Sequence, residues 1–246
     1  MIEGWLAGAA DRFWSAVGGA IPFPREVDPV VGLGFPVSCK SLPELRVSAV
    51  ERWMGQRRMP FRSLCGDRSL CGCLIGFRGK GIIFSCSDDP PADRRFTVAH
   101  ETAHFLLDYF EPRQQALDAL GPGIIPVLDG ERSPTMAETI DALLGRVKLG
   151  LYMDMMPRAA DGGIDQAYIL RAEERADRLA LELLAPAETV LSMASGFGAA
   201  SRPEHLRLTV DALAGVFGLP RAIADRYALS LLRHRFRPSV AEWLRA

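Results

Sequence analysis

Two histidines at positions 100 and 104, with Glu101 directly after the first, constrain this chain more than any other feature. They form the pattern H-E-x-x-H, and residues four positions apart lie one above the other on the same face of an α-helix. Two imidazoles in this arrangement can bind one metal ion, while the glutamate can reach a water molecule beside that ion. The chain has only 4 histidines, so a chance match at this spacing is rare. We therefore predict that His100 and His104 are metal ligands and that Glu101 is a catalytic general base.

The residues around this motif favour a helix that packs along one side. Asp89 followed by Pro90 and Pro91 is typical of a helix start. An apolar stripe beside the histidines would pack this helix and turn both imidazoles toward a cleft. The stripe consists of Ala99, Ala103, Leu106 and Leu107.

A metal ion held by two histidines needs a third protein ligand, and a second helical pattern from about Gln166 to Leu184 offers one. Glu173 and Asp177 are four positions apart in this pattern and share a helix face. We predict Glu173 as the third ligand and Asp177 as the acceptor for the other N–H of a ligand imidazole. Glu174, which faces about 100° away from Glu173, is the alternative ligand. If no metal binds here, Glu173 and Asp177 would instead belong to an acidic, solvent-exposed helix surface.

Three stretches of the chain, in order, resemble the ImmA/IrrE family of metallopeptidases. The first is residues 95–107 around the H-E-x-x-H motif, in which Ala103 stands where the family commonly has glycine. The second runs from Glu173 to Pro186 and ends in Leu-Leu-Ala-Pro. The third runs from Leu208 to Pro220 and contains Leu-Ala-Gly-Val-Phe-Gly.

This resemblance implies an α+β fold with a zincin-like metallopeptidase core, in which a small antiparallel sheet packs on helices, and a C-terminal part that is helix-turn-helix-like. It also implies one Zn²⁺ per chain and hydrolysis of a peptide bond in a protein substrate. The implied substrate is a helix-turn-helix transcriptional repressor, cleaved in a stress or mobile-element response. A Tyr or His would assist at the oxyanion. The candidates for that role are Tyr109, Tyr152, Tyr168 and His205.

The sequence divides into three parts. Residues 1–60 form an N-terminal helical region, residues 61–200 the metallopeptidase core, and residues 201–246 a C-terminal helical region. We expect the C-terminal helices to pack on the core, and contact with DNA is the less favoured alternative. The predicted helices lie at residues 3–17, 42–54, 134–149, 166–184, 209–217 and 220–233.

A β-hairpin precedes the motif. Its predicted strands are Cys71 to Phe77 and Gly81 to Cys86, joined by a turn that contains Gly79. In zincin-like folds an edge strand lies beside the catalytic helix, where a peptide can pair with it. A purely structural sheet is the alternative. The residues assigned to substrate binding on this basis are Ile82, Ile83 and Phe84.

A segment of unusual length, about residues 111–165, separates the two helices that carry the predicted ligands. It could cover the cleft as a lid, dock a protein substrate or be a surface elaboration, and the sequence leaves these three interpretations open. Under any of them, metal binding should survive removal of residues 121–163.

Composition sets outer limits on function. The formal net charge of −1 gives no global attraction to nucleic acid. No apolar run approaches the roughly 20 residues that span a membrane, and the N-terminus lacks a secretory signal, so we expect a cytoplasmic protein without membrane contact. The 5 cysteines indicate thiols rather than a disulfide framework. The spacing of Cys65, Cys71 and Cys73 matches no four-ligand zinc pattern.

Two other functions are compatible with the sequence. In the first, the protein is a non-catalytic regulator that binds a repressor or DNA, and its metal site is structural or vestigial. Retention of Glu101 is evidence against this alternative, because a structural site needs ligands but no general base. In the second, the protein hydrolyses a small molecule, which the hairpin and the resemblance both make less favoured.

Overall fold

A four-stranded mixed sheet forms the centre of the fold in the computed structural model, which describes residues 4–59, 66–136, 138, 147–158, 174–198 and 201–235. The strand order across the sheet is β1-β3-β2-β4. β1 runs parallel to β3, whereas β2 is antiparallel to both β3 and β4. The α+β class predicted from the sequence is therefore confirmed. The strands are β1 (Val37–Leu42), β2 (Leu70–Phe77), β3 (Lys80–Cys86) and β4 (Tyr152–Pro157).

Helices cover both faces of this sheet. A π-helical turn, Phe105–Phe110, directly follows α4, and a 3₁₀ turn, Pro122–Ile124, precedes α6. The helices that precede β4 in the chain are α1 (Gly4–Ala16), α2 (Asp28–Gly34), α3 (Val47–Gln56), α4 (Pro91–His104), α5 (Glu111–Leu120) and α6 (Ile125–Leu128). Those that follow β4 are α7 (Glu174–Leu184), α8 (Ala187–Ser195), α9 (Arg202–Gly215) and α10 (Arg221–Arg235).

The two faces of the sheet pack against different helices, because successive side chains of a strand point to opposite sides. Leu74 of β2 lies in one core cluster with Ala99 and Ala103 of α4. Its neighbours Cys73 and Ile75 lie in a second cluster on the other face. That second cluster also contains Val47, Val50 and Met54 of α3.

Glycines in β2 and β3 let α4 lie close against the sheet. A Cβ atom at Gly72 would lie 2.5 Å from Glu101 Oε1, and one at Gly81 would lie 2.6 Å from the ring of Phe105. Real Cβ contacts are not this short, so neither position has room for a side chain. Because Gly72 and Gly81 have no side chains, α4 and the π-helical turn that follows it can pack directly against the backbone of β2 and β3.

The larger core cluster draws on all three parts of the chain. It joins Phe13 of α1 and Leu183 of α7 with Leu213, Phe217 and other buried residues of the C-terminal helices. The expectation that the C-terminal helix pair packs on the core is thus confirmed. The helix-turn-helix character and the zincin-like core stay predictions.

The hairpin was predicted correctly, but its interpretation as an edge was wrong. β3 pairs with β1 on one side and with β2 on the other, so it is an internal strand. Both sides of its backbone are already hydrogen-bonded, and no peptide can add to them. In addition, Ile82 and Phe84 pack in the cluster on the α3 face, away from α4, and Ile83 is fully buried. Ile82, Ile83 and Phe84 are therefore structural residues rather than substrate-binding ones.

The helix predicted for residues 42–54 was also partly wrong. Helix α3 begins only at Val47, and Val37–Leu42 forms β1. Pairing of β1 with β3 thus outweighs the local helical pattern at the start of the predicted range. The Pro-rich passage before β1 contains α2, which was not predicted. Most of the predicted helix at 134–149, and residues 166–173 of the next, lie outside the described residues.

In the ranges that the structure describes, no helix combines the length and apolar character needed to cross a membrane.

Candidate functional site

Helix α4 carries the H-E-x-x-H motif in its last turn and a half, between the sheet and α7. His100, Glu101 and His104 are all buried, with at most 2% of each residue exposed. Apolar residues of α4 beside the motif, Ala99 and Ala103, pack in the core cluster, and the glycines of β2 and β3 let this part of the helix lie against the sheet. The motif residues therefore lie at the centre of the fold rather than on its surface.

The two histidine rings face each other through their Nε2 atoms, which lie 3.1 Å apart. The other nitrogen of each ring contacts a carboxylate. His100 Nδ1 lies 2.8 Å from Asp177 Oδ1, and His104 Nδ1 lies 2.7 Å from Asp108 Oδ2. Because an ionised carboxylate only accepts hydrogen bonds, each Nδ1 carries the proton and donates it. Both Nε2 atoms then present lone pairs to the same point.

Asp177 lies where the sequence predicted it, opposite a ligand imidazole. It belongs to α7, which packs along α4, and the i, i+4 stripe of Ala176 and Ala180 in α7 lets the two helices approach closely. Glu173, the predicted third ligand, lies outside the described residues. The alternative ligand Glu174 is 71% exposed in its side chain and forms an ion pair with Arg178. Glu174 thus points to solvent, and that alternative was wrong.

Sequence reasoning missed Asp108, the carboxylate that orients His104. Asp108 is carried by the π-helical turn after α4 and is four positions from His104. A signal was present in the sequence, since residues four apart on a helix are neighbours. Such π-helical turns are rare and occur often at functional sites.

Sequence reasoning also missed Asp154, which lies on β4. His100, His104 and Asp154 each offer one ligand atom, and these atoms all lie within 4.8 Å of one another. Asp154 Oδ2 is 3.8 Å from His104 Nε2, and its side chain is 13% exposed. These three side chains could hold a metal ion, and they are the one such group among the residues that the structure describes.

Burial dominates the electrostatics of this site. It lowers the pKa of His100 below its ordinary value, an effect that the hydrogen bond to Asp177 opposes. His100 is therefore neutral at pH 7, which is the state that binds metals. Burial also raises the pKa of the Cys73 thiol well above its usual range, and the nearby carboxylates of Glu101 and Asp154 add to this rise. Both carboxylates thus lie near Cys73 of β2.

The candidates for assistance at the oxyanion have different surroundings. The Tyr109 hydroxyl accepts a hydrogen bond from the Gly79 N–H at 2.8 Å, so it is held at the β2–β3 turn. Tyr152 stacks on Tyr109 and, two residues before Asp154, shares its sheet face. His205 packs edge-on to Phe197. Tyr168 lies outside the described residues.

The cysteines show no second site in the part of the chain that the structure describes. Cys39, Cys71, Cys73 and Cys86 are free thiols. Burial raises the pKa of Cys71 to about 12. A thiol in this state is neither a good nucleophile nor a metal ligand at neutral pH. Cys65 lies outside the described residues.

Comparisons with protein-family models, with curated proteins and with solved structures found no match to this chain. The geometry of the site is therefore the basis on which a function can be proposed.

Proposed function

We propose that this protein is a zinc-dependent endopeptidase in which His100 and His104 bind the metal and Glu101 is the general base. The observation that carries this proposal is the convergence of the two Nε2 atoms, with both Nδ1 atoms bonded to carboxylates. Metal-bound histidines almost always donate their other ring N–H to a carboxylate, a backbone carbonyl or a water, and such a partner fixes the tautomer and makes the ligand nitrogen more basic.

The donor set fits Zn²⁺. Two nitrogen ligands at the usual Zn–N distance of about 2.0–2.1 Å and a tetrahedral angle are separated by roughly 3.3 Å. The observed Nε2–Nε2 separation of 3.1 Å is close to this. Two facing lone pairs repel each other unless a cation lies between them. A bound metal removes that repulsion, and burial of both rings keeps them neutral and competent to bind it.

The bound zinc would supply Lewis-acid chemistry, which polarises a carbonyl and makes a nearby water more acidic. The protein supplies the proton transfers. Glu101 follows His100 directly, and its carboxylate lies over Gly72, which has no side chain of its own to displace it. It would take a proton from the attacking water and deliver that proton to the amine that leaves the cleaved bond. The buried surroundings of Glu101 favour this role, since burial strengthens its interaction with a nearby cation and excludes bulk water.

A structural metal site would not explain the position of Glu101. A structural site needs ligands and their hydrogen-bond partners, which His100, His104 and the two aspartates already provide. Burying a further carboxylate that is neither a ligand nor a partner of a ligand carries a desolvation cost that a structural site does not require. This cost favours hydrolysis over the alternative of a non-catalytic regulator.

For the substrate we propose a helix-turn-helix transcriptional repressor, cleaved in the cytoplasm during a stress or mobile-element response. The support is the resemblance of residues 95–107, 173–186 and 208–220 to ImmA/IrrE metallopeptidases. A repressor encoded next to this protein is the first candidate to test. Binding of DNA by this protein itself is not favoured, because the C-terminal helices are occupied by core packing.

The proposal can be tested by mapping new protein N-termini in cells that express either the wild-type protein or Glu101→Gln. We expect at least one N-terminus, inside a helix-turn-helix protein, that appears with the wild type and is absent with the variant. Identical sets of N-termini from the two strains, with both proteins present at equal levels, would contradict the proposal.

A further inference from the structure

We infer that Asp154 of β4 is the third protein ligand of the metal, in the place that the sequence predicted for Glu173, and that residues 147–158 are part of the metal centre rather than an attachment to it. This inference depends on the proposed metal site at His100 and His104. It adds a ligand that comes from the sheet, whereas both histidines come from one helix.

The register of the sheet fixes the direction of the Asp154 side chain. Asp154 pairs with Leu74 of β2, and Leu74 packs in the cluster that contains α4. Cross-strand partners point to the same face, so Asp154 faces α4 as well. Its neighbours Met153 and Met155 pack on the opposite face, as the alternation of a strand requires. Asp154 is thus held below the histidines by backbone pairing and not by a flexible loop.

The distance to His104 is that of two ligands of one ion rather than of a hydrogen bond. Asp154 Oδ2 and His104 Nε2 are 3.8 Å apart, beyond hydrogen-bonding distance. Two ligands of a tetrahedral zinc ion at about 2.0–2.2 Å are separated by roughly 3.3–3.6 Å. The observed separation from His104 is thus within a few tenths of an ångström of this range, and all three ligand atoms lie within 4.8 Å of one another.

Charge also favours this role. The two histidines bind as neutral groups, so an ion held by them alone would keep its full double charge in a buried place. A carboxylate ligand lowers that charge and offsets part of the cost of burial. Asp154, at 13% exposure, is positioned to do so.

One consequence contradicts the expectation from the sequence. The segment of residues 111–165 was expected to be separable from the metal site. It contains β4, which pairs with β2 over most of its length and presents Asp154 to the histidines. Removing residues 121–163 would delete a strand of the sheet and a ligand, so we expect that variant to lose metal.

The test is the zinc affinity of purified variants, measured by competition with a chelator, together with the visible absorption of the Co²⁺-loaded proteins. Asp154→Asn should weaken zinc binding by more than about 100-fold, beyond the roughly 10–100-fold typical of outer partners of a ligand. Its Co²⁺ spectrum should differ in intensity, because the ligand set has changed. Asp118→Asn, an exposed carboxylate on α5, is the matched control for charge and should leave both readouts unchanged.

Two further variants separate the possible failures. His100→Ala must lose metal if the proposed site is correct, and full zinc affinity in this variant would overturn the site itself. If His100→Ala loses metal while Asp154→Asn keeps wild-type affinity and an unchanged Co²⁺ spectrum, only the inference on Asp154 is overturned.

Near-ultraviolet circular dichroism of the metal-free Asp154→Asn protein checks that its tertiary structure is retained. Should Asp154→Asn not fold, Asp154→Glu is the second variant, and an unchanged Co²⁺ spectrum there would also count against the inference.

Discussion

Asp177 Oδ1 lies 2.8 Å from His100 Nδ1, although the two residues are 77 positions apart and belong to different helices. Asp108 makes the equivalent contact with His104 at 2.7 Å from within the same helical stretch. Each histidine thus has its own carboxylate, and together these fix where both Nε2 lone pairs point. Contacts within the protein therefore hold the two imidazoles in this arrangement.

This arrangement predicts that Asp177→Asn and Asp108→Asn each weaken zinc binding by about 10–100-fold. The amide oxygen of asparagine can still accept a hydrogen bond from the Nδ1–H. It lacks the negative charge of the carboxylate, which makes the imidazole a stronger ligand. Chelator competition measures the effect, with Asp118→Asn as the control. Wild-type affinity in both variants would show that neither aspartate supports a ligand.

Gly72 is predicted to be essential for the position of Glu101. In Gly72→Ala the new Cβ would lie 2.5 Å from Glu101 Oε1, so the glutamate must move. We expect peptide hydrolysis to fall at least tenfold while zinc binding is kept, and the free energy of unfolding to fall by about 1–3 kcal/mol. Gly55→Ala is the matched control, because a Cβ there meets nothing within 4 Å. Full activity of Gly72→Ala would contradict the proposed position of the base.

The C-terminal helix pair should contribute to the stability of the whole protein. Phe217 is fully buried and its ring packs edge-on to Phe23, with 4.6 Å between the ring centroids. Phe217→Ala should lower the free energy of unfolding by about 3–5 kcal/mol, as measured by urea denaturation. The adjacent Val216 is 42% exposed, so Val216→Ala should have much less effect. Equal effects of the two substitutions would mean that this helix pair folds separately from the core.

The buried cysteines should be inert in the folded protein. Burial raises the pKa of Cys71 to about 12 and that of Cys73 well above its usual range, so both stay protonated at pH 8. Mass spectrometry after treatment with iodoacetamide at pH 8 should show both unmodified without denaturant and modified in urea. Rapid modification of either thiol in the native protein would contradict this prediction.

Local spacing explains what the sequence could predict. The position of His100, Glu101 and His104 on one helix face follows from the helical repeat alone, and so does the pairing of β2 with β3 across a short turn. Asp177 was found because it lies four positions after Glu173 in a second helical pattern, so that both share a helix face. Asp108 could have been found by the same i, i+4 rule that selected the histidines.

Non-local pairing explains what the sequence could not predict. Asp154 reaches the site only because β4 pairs with β2 in one particular register, and a shift of one residue would turn it to the other face. Nothing in the local sequence of β4 sets that register. The same holds for β1, whose parallel pairing with β3 made β3 an internal strand and excluded the predicted peptide-binding edge.

If His100, His104 and Glu101 form a hydrolytic metal centre, metal binding and hydrolysis should separate in purified Glu101→Gln protein. Zinc content and the rate of cleavage of a candidate repressor are determined on the same samples of wild type, Glu101→Gln and His100→Ala. We expect Glu101→Gln to keep one zinc per chain and to lose about 10²–10⁴-fold or more in rate, since glutamine cannot accept the proton of water. His100→Ala should lose both metal and activity. Cleavage by Glu101→Gln at the wild-type rate, with zinc bound, would show that Glu101 is not the general base.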